Sequence, residues 1–343
     1  MVNMRNQQPK EFLMNLYENF IPEMRYDGSV SVEEWQKAAR EKLSDILGLQ
    51  YMVKCDYDFL IEETKEYEGF TQHRFSFQSE PGYYAVCYIR IPHGAENIPP
   101  MICIQGHSKG QHISLGEPKF PGDENSIAGG DRDFCKYALE NGFAAVTIEQ
   151  RYMGENGGDA AGPGCYFFKE GKITAHQALL YGRCAIGERV WDGMNLINVL
   201  GENFPQLDME NVACMGNSGG GTATTYFAAM DERIKVVMPS CSVCTYRDSI
   251  VDLNHCTCNY VPGVARYFDM AELCGLIAPR KLVLVAGDKD PIFPRKGVEE
   301  TYSIAKNTYY KAFDAEEKVA VVFGEEGHRF YAKPAYEALS KMK

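Results

Sequence analysis

A serine between glycines, an aspartate in a late loop and a histidine near the C-terminus could together do nucleophilic chemistry in this chain. Gly216-Asn217-Ser218-Gly219-Gly220 has the pattern G-x-S-x-G, whose small neighbours let a strand turn sharply into a helix and lift the serine hydroxyl clear. The pattern alone decides little, because Gly106-His107-Ser108-Lys109-Gly110 also fits and also follows an apolar run. The residues downstream separate the two. Ser218 is followed by Gly-Gly-Gly-Thr-Ala-Thr-Thr-Tyr-Phe-Ala-Ala, small residues that let a helix pack closely under the turn. Ser108 is followed by a Gly- and Pro-rich stretch that cannot be one helix. Ser218 is the expected nucleophile and Ser108 a polar loop residue.

A serine hydroxyl needs a positioned base. His328 is the only histidine beyond residue 255, and Gly327 precedes it on a loop after the last apolar run. The acid that orients it should follow the run before that, where Asp288-Lys289-Asp290-Pro291 offers two aspartates. Asp290 lies far enough into the loop to face the histidine; Asp288 reads as a turn former. An oxyanion needs two backbone donors. The N–H of Gly219 is one, and the loop after 101–105 supplies the other through His107, with Ser108 next in order. Ser108, Asn217 and Tyr152 are the expected substrate-pocket residues. Tyr166, Phe167 and Phe168 either join them or cover core. No metal and no organic cofactor is required by this chemistry.

These residues need elements to hold them. Residues 73–80 and 83–90 read as a hairpin around Pro81-Gly82. Then come short apolar runs at 101–105, 144–150, 212–215, 235–238, 281–286 and 318–323, continuous enough for strands buried on both faces. A helix over 181–203 carries Ile186, Val190, Met194 and Ile197 on one face. An antiparallel start followed by alternating strand and helix predicts an α/β protein with a mostly parallel sheet of about eight strands and helices on both faces. Residues 1–50 read as a helical N-terminal extension, with a Ser31/Glu34 capping box and a stop at Gly48; residues 51–343 form the catalytic domain. Segments 107–130 and 152–175 lack periodicity and are expected to shape the site. Segment 240–275 could be a small cap.

The chain has 343 residues, 45% of them hydrophobic and 24% charged, enough for a large core. Its formal net charge of −12 and lack of basic runs exclude nucleic acid as a natural partner. No apolar h-region follows the N-terminal Met-Val-Asn-Met-Arg-Asn-Gln-Gln-Pro-Lys, and no run of about 18 apolar residues occurs, so a cytoplasmic protein without membrane attachment is expected. Oligomeric state is open. Of the twelve cysteines, several sit inside apolar runs as small hydrophobes. Cys241-x-x-Cys244 and His255-Cys256-x-Cys258 have ligand types suited to zinc, but their spacing matches no standard finger, and packed thiols are expected over metal or a disulfide. Glu149-Gln150-Arg151 is expected to form a buried ion pair with Asp192 or Glu188 that supports the loops.

At Gln105-Gly106-His107, Glu149-Gln150-Arg151, Gly187-Glu188-Arg189-Val190-Trp191-Asp192, the 216–220 motif, Gly287-Asp288-Lys289-Asp290 and Gly327-His328, the sequence resembles the α/β-hydrolase superfamily. It looks closest to the branch of dienelactone-hydrolase-like proteins and acetyl xylan esterases, over roughly residues 55–343. The order Ser, Asp, His agrees with that superfamily. Two features depart from it: dienelactone hydrolases proper use a cysteine nucleophile where this chain has Ser218, and the usual His-Gly pair after the third strand is Gln105-Gly106. The resemblance implies a serine carboxylesterase acting on a small-acyl ester, with acetyl groups on carbohydrate leading. The alternatives are a serine peptidase of the prolyl-oligopeptidase type and a hydrolase-like binding protein without catalysis.

Overall fold

Apolar runs bounded by turn residues become the strands of one sheet. The computed structural model describes residues 8–157 and 175–342. Strands β1 (Leu60–Tyr67), β2 (Phe70–Glu80) and β3 (Tyr83–Pro92) form an antiparallel meander, with Pro81-Gly82 between β2 and β3. The remaining strands are β4 (Pro100–Ile104), β5 (Ala144–Ile148), β6 (Val212–Asn217), β7 (Ile234–Ser240), β8 (Lys281–Gly287) and β9 (Val319–Gly324). The sheet order is β1-β2-β3-β5-β4-β6-β7-β8-β9, parallel from β5 onward.

The order doubles back at β4: β5 lies on one side of it and β6 on the other. In open sheets of this kind the connections leave β4 and β6 toward opposite sides and open a crevice at the strands' carboxyl ends. That crevice is where the 216–220 motif and the loop after β4 meet.

Successive residues of the central strands feed two cores. Val212 and Cys214 face one, Ala213 and Met215 the other. The larger core takes the helices Val32–Leu47, Ala185–Asn203, Gly219–Met230 and Met270–Ile277; the smaller takes Phe134–Glu140 and Ala332–Ser340. Helix Val32–Leu47 starts where its residues require. The Ser31 side chain accepts from the Glu34 N–H, the Glu34 side chain accepts from the Ser31 N–H, and Gly48 closes the helix at φ 74°. Its Trp35, Ala39, Leu43 and Leu47 are buried, and Trp35 stacks on Tyr309 at 4.7 Å. By contrast, helix Pro9–Glu18 buries no residue.

Among the described residues the sheet has nine strands, in keeping with the expected eight or so. The additional one is β1, exposed at every position. Helix Ala185–Asn203 begins four residues later than the periodicity predicts. Segment 107–130 contains the short helices His112–Leu115 and Asp123–Ala128. Segment 240–275 is built from short turns, including Thr257–Asn259, before helix Met270–Ile277. Tyr166, Phe167 and Phe168 lie outside the described residues. Among those residues, no helix is long and apolar enough to cross a membrane.

Candidate active site

Ser218 stands between β6 and the helix Gly219–Met230 at φ 56°, ψ −125°. A non-glycine residue there is strained by about 1–3 kcal/mol, and the surroundings over-determine it. The Ser218 N–H donates to the Ser240 carbonyl at 2.8 Å, and the Ser218 carbonyl accepts from the Thr222 N–H at 2.9 Å. The flanking glycines are required by close approach. A Cβ at Gly216 would lie 2.5 Å from the Gly220 carbonyl carbon, and one at Gly220 would run into the Ile104 and Gln105 carbonyls. The helix Gly219–Met230 thus sits against the end of β4. The first N–H groups of a helix have no intrahelical acceptor, so the Gly219 N–H can donate to an anion held beside Ser218.

Asp290 follows β8 and His328 follows β9. His328 Nδ1 lies 2.8 Å from Asp290 Oδ2, and the other carboxylate oxygen accepts from the Ile292 N–H at 2.8 Å and the Phe293 N–H at 3.3 Å. Burial pushes the Asp290 carboxyl up, but the His328 contact and these backbone donors outweigh it, holding its pKa below the ordinary aspartate value. A carboxylate on Nδ1 puts the ring proton there and leaves Nε2 as the basic nitrogen. The Phe293 ring stacks on His328, centroids 6.0 Å apart, and restricts the imidazole. Asp288 instead pairs with Arg295 at the surface, so the neighbouring aspartates divide their work.

The loop after β4 closes the other side. A Cβ at Gly106 would be 2.8 Å from the Asn217 carbonyl and 3.2 Å from Ser218 Cβ, and one at Gly219 would be 2.5 Å from His107 Cε1. His107 therefore lies directly over the first residue of the helix Gly219–Met230. Glu149 anchors this loop from beneath: Oε1 accepts from Gln105 Nε2 at 2.7 Å, and Oε2 from the Gln111 N–H at 3.1 Å. Burial pushes the Glu149 carboxyl up to about 8, against the pull of the Gln111 and Glu155 N–H groups.

Other residues singled out from the sequence fall into different places. Ser108 keeps to its own loop, its hydroxyl 3.4 Å from the Gly110 carbonyl. Asn217 turns away from the crevice that its position beside Ser218 suggests; it is buried, and its Oδ1 accepts from the Ser240 hydroxyl at 2.9 Å, which braces β6 to β7. Tyr152 donates to Glu188 and lines an open groove with Tyr51, Gln177, Tyr181 and Arg183. The buried ion pair at Arg151 is larger than expected. Its Nε and Nη2 donate to the two Asp192 oxygens at 2.8 Å, Nη2 also meets Glu80 at 2.8 Å, and the guanidinium lies 3.9 Å over the Tyr83 ring.

The four cysteines of 241–258 do not gather at one place. Cys241 Sγ donates to the Arg329 carbonyl at 3.2 Å and clusters with Asp290 and His328, while Cys244 faces the Pro294 carbonyl. Burial, then the Asp290 carboxylate, pushes the Cys241 thiol up to about 12. Cys256 and Cys258 gather instead around His107. His255 packs edge-on to Phe293 at 5.6 Å, and burial, then the His107 charge, pulls it down to about 4. Neither Cys241 nor His255 is marked by any local pattern as a neighbour of the Asp290 and His328 loops; Cys241 comes there at the end of β7, beside β8, and His255 by its packing on Phe293.

No family model matches the chain. Over its full architecture it superposes on a "putative acetyl xylan esterase" of Bacteroides fragilis with a TM-score of 0.75 and 15% identity, covering 93% of this chain and 83% of that one. The chain has the α/β-hydrolase fold. Methylesterase BT1017 shares this α/β-hydrolase architecture at a TM-score of 0.70 and 18% identity, over 97% of this chain and 67% of that one. A glucuronoyl esterase from Solibacter usitatus follows at 0.66 and 16%, over 94% and 98%. In sequence, the chain is 26% identical over 223 residues to "Putative hydrolase YtaP" of Bacillus subtilis, 63% of this chain and 69% of that protein.

Proposed function

We propose that the protein is a serine carboxylesterase that removes a small acyl group, an acetyl ester of a carbohydrate being the leading substrate. The observation that carries the reading is a serine held in a strained strand-to-helix turn after β6 together with a part-buried Asp290–His328 hydrogen bond after β8 and β9 of the same sheet. In this reading Ser218 Oγ attacks the ester carbonyl and His328 Nε2 takes its proton. Asp290 fixes the tautomer and stabilises the imidazolium. The N–H groups of Gly219 and His107 hold the oxyanion, and the protonated His328 releases the alcohol. Water then attacks the acyl-enzyme with His328 as base. The choice of acyl group and alcohol leans on the fold neighbours, whose names include acetyl xylan, methyl and glucuronoyl esterases.

Two measurements test this. A serine-directed phosphonate should label the wild type at Ser218, and a label mapped to Ser108 would sink the assignment. On a panel of aryl esters and acetylated sugars, acetyl esters should exceed octanoyl esters in kcat/KM; a preference for long acyl chains would defeat the small-pocket reading.

A further inference from the structure

Three potential metal ligands from distant parts of the chain meet beside the nucleophile helix. His107 Nε2 lies 3.0 Å from Cys258 Sγ, and Cys258 Sγ lies 3.0 Å from Cys256 Sγ. The donor atoms of all three are within 4.8 Å of one another, and both cysteines are 2% exposed. From these we infer a metal site that takes a thiophilic divalent cation, zinc(II), through His107 Nε2, Cys256 Sγ and Cys258 Sγ.

The chemistry of the donors selects the ion. Two thiolates and a neutral imidazole are a borderline-soft set that suits zinc and does not suit magnesium or calcium. Charge agrees as well. Two thiolates neutralise one divalent cation, so the loaded site buries no net charge, whereas an unpaired ion at this depth would cost several kcal/mol. On binding, each thiol releases its proton to solvent and forms a sulfur–metal bond. Distances also fit. Tetrahedral zinc, with bonds of about 2.3 Å to sulfur and about 2.0 Å to nitrogen, sets ligand separations of roughly 3.8 Å between sulfurs and roughly 3.6 Å between sulfur and nitrogen. The two contacts of Cys258, at 3.0 Å each, lie about 0.6–0.8 Å inside that spacing, and all three atoms are within 4.8 Å of one another, so a small spread of the ligands receives the ion. At 3.0 Å the sulfurs are well outside the roughly 2.05 Å of a disulfide.

The surroundings give the site a purpose. Cys258 lies in the turn Thr257–Asn259, and the Asn259 Oδ1 accepts from Thr222 Oγ1 of the nucleophile helix at 3.1 Å. His107 covers Gly219 at the head of the same helix. A bound zinc ties the loop after β4 to this turn across the crevice and fixes His107 from its ring side. It acts as a clamp, outside the chemical step. Metal uptake is read without any ester, so the inference stands or falls separately from the esterase reading.

The test is cobalt(II) titration of reduced, chelator-stripped full-length protein, followed by displacement with zinc(II). The expected result is one cobalt per chain, with sulfur-to-cobalt charge-transfer absorption in the near ultraviolet and tetrahedral visible bands, all lost on adding zinc. Cys256→Ser combined with Cys258→Ser should abolish the charge-transfer band. His107→Ala should keep it but weaken affinity at least about tenfold. The inference is overturned if reduced wild type takes up no stoichiometric cobalt or zinc. It is overturned equally if the double serine variant shows an unchanged spectrum, or if mass spectrometry of the oxidised protein finds Cys256 linked to Cys258 and reduction restores no metal uptake.

Discussion

At the scale of single residues, two serines share one local pattern and the structure separates them by backbone and neighbours. Ser218 carries the strained φ and lies against both the β4 loop and the helix Gly219–Met230. Ser218→Ala should therefore lower kcat by about 10⁴ or more, since a triad acts as a unit. Ser108→Ala should cost less than about tenfold, because alanine keeps the backbone donors of its loop. Asp290→Asn should lower kcat by about 10⁴, as the amide favours the wrong imidazole tautomer. Asp290 also shapes acid stability. Its folded pKa lies below the ordinary aspartate value of 3.8, so the unfolded chain binds the proton more readily. Its contribution to stability is then complete above about pH 5 and is lost as pH falls through the folded value. Denaturation curves of Asp290→Asn should show a shallower loss of stability below about pH 5 than those of wild type; parallel curves would contradict the assignment.

At the scale of elements, the acid limb has an alkaline counterpart in the strap beneath the β4 loop. Glu149 at the end of β5 ionises near 8 in the fold and near 4.5 when unfolded, because burial dominates. The folded state holds the extra proton between those values, so this group's contribution falls as pH rises from 4.5 to about 8 and is flat outside. Glu149→Gln should remove that slope and gain stability relative to wild type toward pH 8, measured by chemical denaturation at a series of pH values. The elements that carry this site were legible wherever burial is two-sided. The runs that became β4 to β9 are nearly uniform in hydrophobicity, and the Ser31 box and Gly48 stop bound their helix. Strand β1 was not legible: Leu-Ile-Glu-Glu-Thr-Lys-Glu-Tyr is exposed throughout, so no alternation marks it. The dyad was legible because Asp290 and His328 each follow a strong strand. The company of His107 was not, since 151 residues separate it from Cys258 and no local rule spans that interval. Asn217 was misplaced for a related reason. Its neighbour faces the crevice, and residues next to each other at a strand end point to opposite sides.

At the scale of the whole molecule, one buried cation links parts of the chain that have no sequence relation. Arg151 joins Glu80 at the end of β2 to Asp192 in the helix Ala185–Asn203, and Arg183 bonds the same Glu80 as well as Glu188. The network thus fastens the antiparallel meander to the parallel half of the sheet. Arg151→Ala leaves the buried Asp192 carboxylate without its principal partner, while Glu80 keeps Arg183, and should destabilise the protein by about 3–5 kcal/mol, read as a lowered unfolding midpoint in urea; a loss within about 0.5 kcal/mol of zero would show the network to be dispensable. Strand β1, on the far border of that meander, has a different consequence. A border strand offers its unpaired backbone groups to any extended peptide, including the same strand of another copy. Glu62, Glu63, Lys65 and Glu66 line it, and a break in register between Ile61 and Glu63 kinks it. With a formal charge of −12 on each chain, such an approach is also repelled at a distance. The charges that hid β1 from any hydrophobic pattern are thus the ones that keep folded molecules from adding end to end into a continuous ribbon.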